Sequence, residues 1–392
     1  MKIPESIISQ IQNNLDIVDV ISDYTQVQKK GGRYWAICPF HSEKTPSFSI
    51  TPDKGVFYCF GCHKGGTVYT FIMEVEKLSF AEAVKFLAPR AGVEIDVQVD
   101  QKQLSHQEAL RDLYARLGKA FHHILLNNDA AAHARAYLDK RKIPREMIDL
   151  FQIGYIPGDR NWLKNFLLQK NYSAEFLFHS GLFSQKYSAL YPIFTNRIMF
   201  PILDRQGRTI AFGGRALDDS GPKYINSPET PIFLKKENLF GWYQAIDSIK
   251  KSEAFYLVEG YFDVIALRMA GVENTLAPLG TAFTLEQAKL LNRYVKKGYL
   301  LFDNDNAGQK ATERTIEILQ QTQIEINIIL LEKEKDPADI LLQEGKEELQ
   351  KLLKYSINYF QYLIKRAVKH YNPDTAEGKE KIFQFLYPYV EN

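Results

Sequence analysis

The sequence predicts a multidomain α+β protein, and two observations carry that prediction. The chain's three cysteines, Cys38, Cys59 and Cys62, fall in one short segment with His41, as Cys-x2-His and then Cys-x2-Cys. Farther on, three apolar runs of strand length (254–258, 298–302 and 324–331) are separated by helix-length stretches. Each run is followed by acids: Glu259, then Asp303 and Asp305, then Asp336 and Asp339. The first pattern reads as a zinc ribbon, with each ligand pair gripping one side of a tetrahedral ion. The second reads as a parallel α/β sheet. The expected architecture is an N-terminal zinc ribbon with helices, followed by a mixed α/β domain containing a parallel sheet.

The elements follow in chain order. Ile8, Ile11, Leu15, Val18 and Ile21 recur at helical spacing, which predicts an amphipathic helix over residues 1–25. The ribbon then runs to about Cys62. A c-type haem site at 59–63 requires export, but no secretory segment opens the chain, and it leaves Cys38 and His41 unexplained. A disulfide leaves one thiol odd. His63 is an alternative to His41 as fourth ligand. Aromatic and basic residues surround the ligands: Arg33, Tyr34, Trp35, Lys44, Phe48, Lys54, Phe57, Tyr58, Phe60 and Lys64. Outward-facing aromatics beside cations suit single-stranded nucleic acid, while the inward ones serve as the core of a small ribbon.

Gly65-Gly66-Thr67 is expected to open a helix, and a second helix is expected over residues 80–87. The polar stretch 96–105 is the expected linker. A helical pattern continues to about Leu150, with a break near Pro144. Residues 151–239 mix short strands with glycine turns and carry Arg197, Arg215, Lys223 and Lys235. Bases on glycine-rich turns can approach phosphates closely. A net charge of +2 over 392 residues makes any nucleic-acid surface a local one. No apolar run is long enough to span a membrane, and with no signal peptide the chain is expected to be cytoplasmic.

The acids invite two bland readings. A single Asp after a strand is usually a helix cap or turn former. The stretch 303–314 also resembles a calcium loop at its first, third and sixth positions, but its twelfth residue is Arg314, where a bidentate Glu is needed. Three clusters at equivalent strand ends favour one shared cation site, because ligands bind at the carboxyl ends of parallel strands.

The stretches 258–263, 303–308 and 336–339 together resemble the TOPRIM domain, with Asn304 where that family usually has glycine. Adding the ribbon, Phe151-Gln152-Ile153-Gly154-Tyr155, residues 197–202, Phe212-Gly213-Gly214-Arg215 and residues 222–230, the whole chain resembles bacterial DNA primases of the DnaG type. The resemblance implies a zinc-binding domain over 1–100 and a basic part of an RNA polymerase domain over 101–245. A TOPRIM-like part over 246–345 and the start of a helical part over 346–392 would follow. It implies synthesis of short RNA primers on single-stranded DNA from ribonucleoside triphosphates. Glu259, Asp303 and Asp305 would be catalytic and would hold Mg2+ or Mn2+ with Asp336, with Asp263 a weaker candidate. One structural zinc would sit on Cys38, His41, Cys59 and Cys62. Arg197, Arg215, Lys223 and Lys235 would contact template or nucleotide phosphates. Relatives continue into a domain that binds the replicative helicase, so a chain stopping at Asn392 is expected to lack helicase stimulation. A TOPRIM nuclease or topoisomerase and a non-enzymatic DNA clamp are the competing classes. Helical apolar spacing over 352–368 and 382–390 predicts two C-terminal helices, the first on the parallel sheet and the second on a helical segment expected to be shortened or absent here.

Overall fold

The computed structural model describes residues 5–41, 43, 45–76, 78, 80–93, 101–184, 189–218, 221–331 and 335–390. They form two compact units, Met1–Leu104 and Ser105–Asn392.

In the first unit, helices α1 (Glu5–Asn14) and α2 (Ile17–Ser22) precede a five-stranded antiparallel sheet. Its strands β1 (Val27–Lys30), β2 (Arg33–Ala36), β3 (Phe48–Thr51), β4 (Val56–Cys59) and β5 (Gly65–Thr67) lie side by side in chain order. Helices α3 (Val68–Val75) and α4 (Phe80–Leu87) follow. The single helix expected over residues 1–25 is two helices. Asp16 accounts for the break: its carboxylate accepts the Val18 amide at 2.8 Å and caps α2. Gly65-Gly66-Thr67 is a strand paired with β4, not the helix start the glycines suggested, and the helix begins at Val68. Along β4 the faces alternate. Phe57 and Cys59 are buried and Tyr58 points outward. Phe48 and Phe57 stack at 5.0 Å with the edge of Phe71 against Phe57 at 5.7 Å, so these rings are core. Tyr58 and Phe60 stay 41% and 54% exposed, on the side where Trp35 stacks with Phe60 at 6.0 Å.

Helix α5 (Gln101–Asn127) begins inside the stretch expected as a linker and runs into the second unit, and residues 94–100 lie outside the described residues. Helices α6 (Ala132–Lys140) and α7 (Arg145–Leu150) follow, with Pro144 capping α7. The next segment carries β6 (Gly154–Ile156), α8 (Trp162–Gln169), α9 (Ala174–Phe178), β7 (Phe183–Ser184), β8 (Tyr191–Pro192), β9 (Arg197–Leu203), β10 (Thr209–Ala216) and β11 (Tyr224–Asn226). Strands β11-β10-β9-β6 make one antiparallel sheet, with β9 buried along its whole length.

The parallel sheet follows. It comprises α10 (Trp242–Ser252), β12 (Ala254–Leu257), α11 (Tyr261–Met269), β13 (Thr275–Leu276), α12 (Leu285–Leu291), β14 (Lys297–Leu300), α13 (Asn306–Leu319) and β15 (Glu325–Ile328). The chain ends with α14 (Pro337–Glu344), α15 (Lys346–Leu352), β16 (Ile357–Asn358), α16 (Tyr359–His370) and α17 (Ala376–Leu386). The sheet order is β13-β12-β14-β15-β16, parallel except for β16. Strands β12, β14 and β15 are the three apolar runs read from the sequence.

Two contacts fix the antiparallel sheet over the parallel one. Tyr261 of α11 stacks on Phe200 of β9 at 4.9 Å, and its hydroxyl donates to Asn226 of β11. Gly213 makes room for this: a Cβ there would stand 2.4 Å from the Tyr261 hydroxyl. At the C-terminus, Tyr362 and Leu363 of α16 bury against the parallel sheet's core, as expected. The helix starts at Tyr359, however, because Ile357 pairs with Ile328 as strand and Leu353 ends α15. Helix α17 packs on α16, with Phe385 and Leu386 against the same core and Phe383 65% exposed.

Candidate functional site

Cys38, His41, Cys59 and Cys62 converge, each offering one donor atom, all within 4.8 Å of one another. Cys38 Sγ lies 3.8 Å from Cys62 Sγ, and Cys59 Sγ lies 3.8 Å from His41 Nδ1. A disulfide would require about 2.05 Å. Two sulfurs at ~2.3 Å from a tetrahedral ion stand ~3.8 Å apart. The geometry therefore fits a zinc. The loops are shaped to hold sulfur: the Phe40 amide points at Cys38 Sγ and the Cys62 amide at Cys59 Sγ, both at 3.4 Å. Burial pushes the Cys38 thiol up to about 12. Burial acts the same way on Cys59, but the Cys62 amide, the Ser47 hydroxyl and the Gly61 amide outweigh it and bring that thiol down to about 7.

Sequence reasoning missed Glu43. Its carboxylate lies 3.2 Å from His41 Nε2 and accepts the Cys38 amide at 2.7 Å and the Ser47 amide at 3.2 Å, together with the Ser47 hydroxyl. Burial opposes its charge, but these donors, Ser47 first, hold the carboxyl below its ordinary range. A carboxylate on Nε2 leaves Nδ1 free to bind metal.

In the second unit, the strand-end acids meet above the parallel sheet. Glu259 follows β12, and its Oε1 accepts the Asp303 amide at 2.9 Å. Asp305 caps α13 through the Gly308 amide at 2.7 Å, and Asp336 caps α14 through the Asp339 amide at 2.6 Å. The capping role is thus real for both. Gly308 is what lets α13 start so close: a Cβ there would lie 2.1 Å from the Asp303 carbonyl and 2.8 Å from Glu259 Oε1. Asp263, 7% exposed, accepts the Gly260 amide at 3.0 Å and the Ala338 amide at 3.4 Å.

Crowding shows in the titration. Burial, then the charges of Glu259, Asp336, Asp305 and Asp339, push Asp303 up to about 7. Burial also raises Glu259, with Asp305 and Asp336 adding to it. Asp263 and Asp336 are raised as well, each by burial first. Among the described residues, only the Cys/His set brings three or more potential ligands within 4.8 Å. The carboxylates surround one region without closing on a point. Their mutual repulsion and all-oxygen chemistry fit a hard divalent cation.

Bases come from the antiparallel sheet and from the end of α6. Arg215 of β10 lies over the Tyr224 ring at 5.2 Å and the Tyr137 ring at 5.6 Å. Arg141, which the sequence reading passed over, lies over Phe262 at 4.7 Å and donates to the Tyr137 hydroxyl at 2.9 Å. The positive charges of Arg141 and Lys223 are both felt at Asp336. Arg197 is placed differently. It is 5% exposed, and its Nη1 donates to the Gly214 and Pro222 carbonyls at 3.1 and 2.9 Å. It clamps the turn that presents Lys223. Lys235 sits on a short turn, and its backbone amide donates to the Glu229 carboxylate at 3.2 Å.

A ligand-ready zinc ribbon, and a separate unit with a basic antiparallel sheet docked over an acidic parallel one, define a class of nucleic-acid enzyme cores with a Toprim-like centre. Comparison with known proteins agrees in each part. The CHC2 zinc finger family matches residues 3–112, the N-terminal domain of the DNA primase catalytic core matches 121–246, and a Toprim-like domain matches 256–341. DNA primase from Treponema pallidum is 39% identical over 99% of this chain and 65% of its own length. That from Borreliella burgdorferi is 37% identical over 93% of this chain and 71% of its own. The zinc-binding and RNA polymerase domains of Aquifex aeolicus primase share 36% identity, with a TM-score of 0.59, covering 97% of this chain and 92% of that one. A DnaG primase catalytic domain bound to single-stranded DNA shares 30% identity, with a TM-score of 0.66, covering 74% and 91%. The chain belongs to the DnaG-type DNA primase family. It spans about two thirds of the length of the first of these relatives.

Proposed function

We propose that the chain synthesises short RNA primers on single-stranded DNA from ribonucleoside triphosphates. One observation carries this reading: a crowded acidic cluster lies at the ends of parallel strands, and the charges of Arg141, at the end of α6, and Lys223, just before β11, reach Asp336 within it. Its likeness to a primase domain bound to single-stranded DNA supports the template. Glu259, Asp303, Asp305 and Asp336 would hold Mg2+ or Mn2+. Such an ion lowers the pKa of an attacking 3′-hydroxyl and neutralises phosphate charge.

The remaining work falls to side chains. Arg215 and Arg141, fixed by the Tyr137 hydroxyl and aromatic faces, would orient the triphosphate with a pre-set fork. Lys223 would add a mobile charge, and Lys235 is a candidate for template phosphates. Arg197 would act only through the turn it clamps. Exposed Tyr58 and Phe60 would receive template bases by stacking. Cys38, His41, Cys59 and Cys62 would hold one structural zinc. The four parts 1–100, 101–245, 246–345 and 346–392 are the proposed functional divisions. Cytoplasmic location is part of the same proposal. Among the described residues, no helix is long and apolar enough to cross a membrane.

The test is incorporation of labelled ribonucleotides on single-stranded DNA with added Mg2+ or Mn2+. Short RNA products support the reading. DNA cleavage or relaxation without RNA would place the chain among Toprim nucleases or topoisomerases.

A further inference from the structure

We propose that Asn304, Gln309 and Arg366 form a positioning chain that runs from helix α16 to the acidic turn and sets where the Asp303 and Asp305 carboxylates stand. The inference rests on the reading of these acids as a cation site.

Asn304 lies between the two acids. Its Nδ2 donates to the Leu331 carbonyl at 3.0 Å, beyond the end of β15, and its Oδ1 accepts from Gln309 Nε2 at 2.9 Å. Gln309 Oε1 in turn accepts from Arg366 Nη1 at 2.5 Å. Arg366 is 14% exposed and is held in place by Glu313, 3.1 Å from both its Nε and Nη2.

The polarity of the chain is forced from both ends. A carbonyl can only accept, so Asn304 must turn its amide nitrogen to Leu331 and its oxygen to Gln309. A guanidinium can only donate, so Gln309 must turn its oxygen to Arg366 and its nitrogen to Asn304. The two requirements agree, and neither amide can flip without losing two bonds. Tyr362, from the same helix, lines a small cavity of about 20 Å³ under Asp303 and Asn304.

Asp303 and Asp305 flank Asn304 on the one short turn that leads into α13. Two like charges on a short turn splay it outward. Tethering the residue between them resists that force and leaves the carboxylates pre-set for a cation.

The test is Mn2+ binding to the chain, read from the electron paramagnetic resonance signal of free Mn2+, alongside the melting temperature. Asn304→Gly, Gln309→Met and Arg366→Met should each weaken Mn2+ binding, by roughly 10- to 100-fold, as for other groups that orient metal ligands. The pair Asn304→Gly with Arg366→Met should bind no more weakly than the worse single variant, because both break one chain. Unchanged Mn2+ affinity in all three variants, with a lowered melting temperature, would make the contacts structural only and overturn the proposal. Additive losses would overturn the single chain. A parent chain that binds no Mn2+ would overturn both this proposal and the cation site. One that binds Mn2+ but makes no RNA would overturn the primase reading alone.

Discussion

Asp303 stays protonated to about pH 7 because burial and Glu259 oppose its charge. An unfolded aspartate loses its proton near ~3.9. Between these values the folded chain binds the extra proton, so this group's stabilising effect is complete below ~4 and is lost as pH rises to about 7. The metal-free chain is therefore expected to melt at lower temperature at pH 8 than at pH 5. Asp303→Asn should flatten part of that slope and melt higher than the parent at pH 8. A parent whose stability rises across this window would contradict the assignment. Protons and cations compete for the same oxygens, so Mn2+ affinity should climb with pH and level off above about 7. At the ribbon, Glu43→Gln removes the charge facing His41 Nε2. Zinc affinity, measured by chelator competition, should fall roughly 10- to 100-fold; an unchanged value would leave Glu43 a loop-folding residue only.

At the scale of elements, the acidic turn and α13 depend on one glycine. Gly308→Ala must push the helix start away from the Asp303 carbonyl and Glu259, at a cost of about 1–3 kcal/mol. Circular dichroism melting should show that loss, and Mn2+ binding should weaken with it. A variant as stable as the parent would mean the turn has slack. The sequence showed the parallel strands and their terminal acids because apolar runs and strand-end carboxylates are local patterns. It also showed the Cys/His cluster, whose spacing is itself the geometry. The break at Asp16 was hidden because Leu15 and Val18 keep the helical spacing across it. Arg141 was hidden because its partners, Phe262 and the acids of α14, lie far along the chain. Arg197 looked like a surface base because nothing local reveals that the Gly214 and Pro222 carbonyls fold around it. Glu43 was hidden by its ordinary place in a polar loop.

At the scale of the molecule, the zinc ribbon is a small unit with its own aromatic core. The larger unit sets a basic sheet against an acidic one. Metal analysis should give about one zinc per chain, and Cys59→Ser with Cys62→Ser should release it; full retention would contradict the site. Replacing Arg215 or Lys223 should weaken single-stranded DNA or nucleotide binding and flatten its salt dependence, whereas Arg197→Ala should mainly lower stability. The most direct test of the central claim is primer synthesis on single-stranded DNA by the parent chain and by Asp303→Ala, with Mn2+ or Mg2+ added. The account predicts short RNA from the parent only when a divalent cation is present, and a loss of on the order of 10²–10³-fold in the variant. Equal RNA yield from Asp303→Ala, or none from the parent, would contradict it.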